Sequence, residues 1–232
     1  MPSVWSDPVF VRAFFKRAAQ VLGGLVLMAV FFFVSAGGMD FPRAWLSLGI
    51  YLAHVLVNLT VFLKYAPEIV AKRSEIHLTK TWDKIFAVLY TLDIFAIFAV
   101  AGLDVGRFHW SFLGPEWVLP GAILFALGAA LVTWSMISNK FFECAARVTK
   151  SQTTVTQGPY AFIRHPGYAG MTLYYGAAPL IIGSAWALVP VAIIALLMAS
   201  RTKMEDEMLQ KELTGYKEYA RKVKWRLVPG VW

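Results

Sequence analysis

Apolar residues in this chain fall into long, nearly unbroken runs separated by short polar stretches. Four runs, 18–36, 44–63, 84–103 and 117–137, contain enough residues to cross a hydrocarbon core, which takes roughly 20 residues at 1.5 Å each. Backbone polar groups inside a bilayer must bond to one another, so such runs must be helices. A fifth stretch, 167–200, is too long for one untilted helix and too short for two full spans with a loop. Pro179, Gly183 and Pro190 interrupt it, which predicts a tight helical hairpin turning near Gly183 and Ser184. Residues 202–224 are polar and helix-forming. No alternating pattern of about ten residues repeats, which argues against a β-barrel. The predicted fold is all-α: a polytopic integral membrane helical bundle of four spans, a C-terminal transmembrane helical hairpin and a cytosolic C-terminal helix.

Composition agrees with that reading. Hydrophobic residues make up 58% of the 232 and charged residues 16%, against about 45–50% and about 25% in soluble domains. The charges are unevenly placed. Twenty of the 22 Lys and Arg lie in the N-terminus, the loop after span two, the loop after span four and the tail, leaving Arg43 and Arg107 for the two remaining loops. The positive-inside rule then puts both termini and both long polar loops in the cytosol, in a membrane of the bacterial inner type. The net charge of +8 is accounted for by this bias and by anionic headgroups, so no nucleic-acid partner is implied. Residues 1–17 and 64–83 mix Lys and Arg with apolar positions and are expected along the interface. The first run is too long for a signal-peptide core and lacks an A-x-A site, so it reads as a mature span. The lone Cys144 excludes a disulfide within the chain, and it and the four His show no metal-ligand spacing. Without internal repeats, 1–232 reads as a single membrane domain.

The residues that could carry chemistry sit in two cytosolic segments, 152–170 and 201–209, with Gly215, Tyr216 and Tyr219 following. They flank the hairpin, so its two ends bring them together. Gly158-Pro159 and Pro166-Gly167 are turn formers that constrain Arg164 and His165 at the mouth of a helix, and Pro166 suits that helix's first turn. Tyr160 and Tyr168 add aromatic faces. An anchoring belt explains Arg164 and the tyrosines but not the Arg-His-Pro-x-Tyr order. Arg201 and Glu205 are four apart and share a helix face, which Leu209 continues. On a free surface they would be an ordinary ion pair; at the end of a membrane hairpin a charge faces protein or a cavity. Within span three Asp93 is an expensive acid, with His54 or Asn58 as the expected partner in a structural interhelical bond. His77 and His109, in loops, carry no expected role.

The combination GPYAFIRHPGYAG, an apolar hairpin, and then RTKMEDEMLQKELTGYKEYARKV resembles the isoprenylcysteine carboxyl methyltransferase family, related in its C-terminal pattern to membrane phospholipid N-methyltransferases. The likeness covers 139–229; residues 1–138 match only as generic spans, so 139–232 would be the catalytic part. The resemblance implies S-adenosylmethionine as methyl donor in a non-Rossmann pocket, and the chain has no G-x-G-x-x-G opening a helix. It implies donor contacts from Gln152, Thr153, Thr154, Val155, Tyr160, His165, Pro166, Gly167, Tyr168 and Glu205. It places Arg201 at the substrate carboxylate and makes Arg201 and Glu205 the catalytic pair. Asn139 and Phe142 match the family's entry to the site. Asp206 stands where the family has a second glutamate, a shortening expected to be tolerated. The implied acceptor is lipidic or amphiphilic, most simply a carboxylate. Phospholipid N-methylation, thiol S-methylation and an NADPH-dependent sterol-reductase-like activity are the alternatives, and no metal is implied.

Overall fold

The computed structural model describes residues 4–75 and 78–232, so His77 lies outside the described residues. Every regular element among them is helical. Helices α1 (Pro8–Ala36), α2 (Pro42–Tyr65) and the short α3 (Pro67–Ser74) each open on a proline, where a missing N–H costs nothing and the fixed φ suits the first turn. Helix α4 (Thr81–Gly102) runs on through a π-helical segment, Leu103–Phe108. Helix α5 (Val118–Ser138) follows, then an irregular loop to a single 3₁₀ turn at Gly158–Ala161. Helices α6 (Pro166–Ile182), α7 (Leu188–Glu212) and α8 (Tyr216–Lys222) complete the chain.

Among the described residues, four helices are long and apolar enough to cross a membrane: Pro8–Ala36, Pro42–Tyr65, Thr81–Phe108 and Pro115–Ser138. They match the four expected spans. Leu22, Val26 and Val30 on α1, Leu52 and Leu56 on α2, and Leu119, Ile123 and Leu127 on α5 point outward, as lipid-facing side chains should. Phe32, Ile97, Phe98, Ile181 and Ile194 fill the interior with almost no exposure. The chain is an integral membrane helical protein.

The turn after α6 falls where expected. Gly183 has φ 105 and closes the helix with its N–H on the Pro179 carbonyl, a backbone state that side chains disfavour. Two residues hold this turn. Arg43 donates to the carbonyls of Ile181 (2.7 Å), Leu180 (2.8 Å) and Leu113 (2.6 Å), satisfying orphan groups at the helix end. Asp104, fully buried, accepts from the Ser111 N–H (2.8 Å) and from the Ser111 and Ser184 hydroxyls (both 2.5 Å). One feature departs from expectation. The polar stretch after Ser200 does not begin a new helix but continues α7 unbroken to Glu212. Residues 200–212 contain no Gly or Pro to stop it. Arg201, Glu205 and Asp206 therefore ride on the same rod as the apolar part of the hairpin.

Asp93 also differs from expectation. Its Oδ2 is buried with no hydrogen-bond partner among the described residues. Asn58 bonds instead to the His54 ring (2.7 Å) and accepts from Thr133 (2.6 Å). The reason is topological: α4 packs on α1 and α7, whereas α2 packs on α6, α1 and α5.

Helices α5 and α6 form the closest pair, and their approach sets where the N-terminus of α6 lies. Gly128 and Gly170 meet there: a Cβ on Gly170 would stand 2.8 Å from the Gly128 carbonyl oxygen and 2.9 Å from Val132 Cγ2. Gly170→Val must push the helices apart, and overpacking of this kind costs about 1–3 kcal/mol. The expected outcome is a lower melting temperature in detergent, measurable by following unfolding with tryptophan fluorescence; an unchanged melt would show that the crossing tolerates the added side chain.

Candidate functional site

A pocket with about 740 Å³ of free space, counting its open mouth, forms where the loop after α5, the first turn of α6, the end of α7 and α8 converge. Of the residues expected to contact a donor, Gln152, Thr153, Thr154, Val155, Tyr160, His165, Gly167, Tyr168 and Glu205 all line it. Asn139 and Phe142 line it as well. Pro166 does not; it is fully buried at the start of α6 and fixes the backbone between His165 and Gly167.

The floor is ordered by a single buried acid. Asp206 is fully buried on α7 and accepts from five side chains. Arg164 grips it bidentately (Nε 2.8 Å, Nη2 3.0 Å), Arg226 reaches it at 3.1 Å, Gln210 at 2.9 Å and the Tyr216 hydroxyl at 2.9 Å. His165 Nε2 lies 3.5 Å from the same carboxylate. Burial alone would raise the Asp206 pKa, but hydrogen bonds from His165 and Arg164 and their charges outweigh it and hold the carboxyl well below its usual range. Burial, with the Asp206 charge adding to it, pushes the Tyr216 hydroxyl far above its ordinary value, so it stays a donor. Arg164 also donates to the carbonyls of Val223 (2.8 Å) and Lys224 (3.0 Å) at the end of α8. The tail beyond α8 is bound back: the Arg164 and His165 N–H groups donate to the Trp225 and Arg226 carbonyls, both at 2.9 Å. Arg164 thus sits buried at the centre of the site and not in an interfacial belt.

The walls carry the pocket's chemistry. His165 stacks on Tyr168, 5.7 Å apart and 7° from parallel. The Tyr168 hydroxyl donates to Glu205 and accepts from Arg201 Nε at 2.9 Å. Glu205 keeps a fifth of its side chain exposed to the pocket. Asn139 donates to the Tyr160 hydroxyl at 3.2 Å, and Tyr219 donates to the Tyr160 carbonyl at 2.7 Å. A carboxylate at the Tyr168 hydroxyl and an imidazole stacked on the Tyr168 ring can hold a polar cation through its hydroxyls and its own carboxylate.

Arg201 lies behind this wall. It is 4% exposed and does not line the pocket. Its Nη1 pairs with Asp83 at 2.5 Å and its Nη2 donates to the Cys144 carbonyl at 3.0 Å. The Phe86 ring lies 4.4 Å from the guanidinium carbon. With Glu205 oxygen 3.7 Å from Nε, Arg201 bears on the pocket through Tyr168 and Glu205. Sequence reasoning missed Asp83. It is fully buried in the first turn of α4 and also accepts from the Ala146 N–H at 2.7 Å, so it ties the pocket loop to the bundle. The available signal was an acid immediately before a predicted span. Cys144 contributes its backbone carbonyl, and its side chain is a free thiol. His109 is an exposed residue at φ 49 outside the site.

The Asp206 cluster gives a pH signature. A carboxyl whose folded-state pKa is depressed adds stability above its unfolded value, about 3.9, and loses it as pH falls through the folded-state pKa. Asp206→Asn leaves Arg164 buried without its counter-charge, a change of about 3–5 kcal/mol at neutral pH. Melting curves in detergent are expected to show a large deficit at pH 7 that narrows as pH drops below about 4; a deficit independent of pH would remove the carboxylate charge from this account.

Residues 117–214 match the family described as phospholipid methyltransferase. No curated protein matches the chain. In structure the chain is similar to a eukaryotic intramembrane Ras methyltransferase, isoprenylcysteine carboxyl methyltransferase, solved without a monobody; the match has a TM-score of 0.53 and 20% sequence identity, and covers 93% of this chain and 75% of that one. The pocket, the hairpin and the loop between them fall within or beside the matched segment, so residues 117–214 resemble the phospholipid methyltransferase family and the helical fold is similar to that of isoprenylcysteine carboxyl methyltransferase.

Proposed function

We propose that this protein is an S-adenosylmethionine-dependent methyltransferase that binds its donor in the pocket between α6, α7, α8 and the loop after α5, and methylates an amphiphilic acceptor arriving from the bilayer. The observation that carries this reading is convergence: Tyr160, His165, Tyr168 and Glu205 come from three separate segments and line one pocket with the 152–155 backbone. The positive-inside count puts this pocket, and both termini, on the cytosolic side.

The residues present suit the donor. When bound, it supplies a methyl group activated on a sulfonium. Tyr160 lines the pocket and offers an aromatic face to a cation, whereas the Tyr168 ring already carries stacked His165 and the Arg201 guanidinium at 5.5 Å. Glu205, partly exposed on the pocket wall, accepts from ribose-type hydroxyls. His165 and the N–H groups of Thr153 to Val155 suit the amino-acid carboxylate. Arg201 acts as a positioning residue: locked to Asp83 and the Cys144 carbonyl, it holds the Tyr168 hydroxyl and keeps Glu205 turned toward the pocket. The loop and α8 cover the site and limit water. A carboxylate acceptor fits this set best. Methylation of a carboxylate to an ester releases no proton and needs no general base, whereas an amine or thiol would have to give its proton to one of the lining groups His165, Glu143 or Glu205. The protein's work is then alignment of two reactants.

Calorimetric titration of S-adenosylhomocysteine into the purified chain tests the donor site. Saturable binding is expected for the wild type. Glu205→Ala and His165→Ala each remove a hydrogen bond to a charged or strongly polar group, a loss of about 1.5–3 kcal/mol, or ten- to hundredfold in affinity. No binding to the wild type, or a melting shift with NADPH and none with S-adenosylhomocysteine, would sink this reading. Base-labile label transferred from radiolabelled donor in native membranes identifies an ester; a stable label points to nitrogen or sulfur.

A further inference from the structure

A second cavity lies on the far side of Phe142 from the donor pocket. It is lined by α1, α2, α3, α4, α5 and α6 and holds about 1,370 Å³ of free space including its mouth. Its walls are largely apolar, with Leu25, Met28, Met136 and Met171 among them. Arg17 and Met28 line it from the same helix, which makes it roughly 16 Å deep at 1.5 Å per residue.

Arg17 and Arg73 stand together at one end. Their side chains are poorly used. Arg17 Nη1 reaches the Arg73 carbonyl and Gln20 Oε1 only at 3.4 Å, and the Arg73 guanidinium rests 5.7 Å over the Phe142 ring. Among the described residues no carboxylate lies within 4.0 Å of either arginine. Two neighbouring, half-buried guanidinium groups without a counter-charge repel each other, and at the edge of an apolar chamber their charge is costly. At the other end the polar groups are already satisfied: Thr133 donates to Asn58, and Asn58 pairs with His54. The chamber therefore asks for negative charge at its mouth and hydrocarbon below it.

We propose that this cavity binds an amphiphile with an anionic head and a hydrocarbon chain, the head held between Arg17 and Arg73 and the chain lying along α1 past Gly24 and Met28. A carboxylate and a phosphate monoester share the chemistry that two guanidinium groups recognise. The site does not depend on the donor reading, because neither arginine lines the donor pocket. Phe142, which does line that pocket, carries Arg73 on its face, so an occupant's head would lie next to the methyl-transfer site.

The experiment is equilibrium binding of radiolabelled dodecanoate to the full chain in nanodiscs of zwitterionic lipid, at mildly alkaline pH where the acid is ionised. Unlabelled dodecyl phosphate, dodecanol and dodecyltrimethylammonium serve as competitors. Dodecanoate binding is expected to saturate, with the alcohol and the ammonium at least tenfold weaker as competitors, about 1.4 kcal/mol. Arg17→Gln and Arg73→Gln are each expected to weaken binding tenfold or more, and Arg17→Lys to recover part of it. Gly24→Phe fills the chamber while leaving both charges, and a Cβ at Gly24 meets nothing within 4 Å, so it should fold and lose binding. Melting temperatures check the fold of each variant. Competition by the phosphate as strong as by the acid supports recognition of a general anion; competition by one alone supports the same site and identifies a free-acid or a phospholipid-type source. Equal competition by dodecanol, wild-type affinity in both arginine variants, or wild-type affinity in Gly24→Phe would overturn the proposal. Failure of S-adenosylhomocysteine to bind, with dodecanoate behaving as described, would remove the donor reading and leave this one standing.

Discussion

A carboxylate removed from water is stable only if donors replace its hydration, and Asp206 draws those donors from every segment that builds the pocket. Arg164 comes from the entrance to α6, Gln210 from α7 itself, Tyr216 from α8 and Arg226 from the tail. None of these elements has a large apolar face of its own at this end of the bundle. α8 has only seven residues, too few to persist as an isolated helix. The Asp206 cluster takes the place of a core here, with Tyr160, Leu209, Leu213, Tyr216 and Tyr219 packed around it. Its geometry decides where His165 points, because that ring sits between Asp206, Tyr216 and the Tyr168 face.

The long loop between α5 and α6 depends on a second buried acid in a similar way. It has little regular structure, and loops of that length in compact folds are usually functional. Side chains from the rigid helices hold it at fixed points. Asp83 on α4 takes the Ala146 N–H, Arg201 on α7 takes the Cys144 carbonyl, and Thr154 donates to the Thr214 carbonyl at 3.1 Å. Asp83 and Arg201 also pair with each other. One ion pair thereby fixes the loop and stands behind Tyr168 and Glu205. The residues that touch a ligand are few, and the ones that hold them in place carry the buried charge.

Much of this was legible from sequence because its causes are local. Lipid solvation forces long apolar runs, so the spans could be read directly, and the turn at Gly183 followed from a glycine between two prolines. The lining of the pocket was legible through motif order: nine of the ten expected contacts line it, and Pro166 shapes it from within. What could not be read were pairings across the bundle. Asp206 looked like a shortened glutamate, yet its length lets five donors surround it in a fully buried place. Arg201 looked available for an acceptor until Asp83, more than a hundred residues away in the chain, was seen to engage it. Asp93 looked destined for α2, but helix adjacency turned it elsewhere. Periodicity and composition encode which face is apolar; they carry little about which buried charge meets which.

The two cavities meet the needs of two solvents. A polar, charged donor has to enter from water, and the first pocket opens between a loop and α8, both at the polar end of the hairpin. A hydrocarbon-tailed ligand has to enter from lipid, and the second cavity lies among spans whose outer faces are apolar. Phe142 stands between them, packed against Gly167 on one side and under Arg73 on the other. If both proposals hold, only the thickness of this ring would separate a bound donor cation from the head of a bound anionic amphiphile. Methyl transfer neutralises opposite charges on donor and acceptor, so its barrier falls when both are desolvated side by side. In the proposed reaction that juxtaposition would come from an apolar hairpin that ends in polar chemistry, with α7 running from one to the other as one continuous helix.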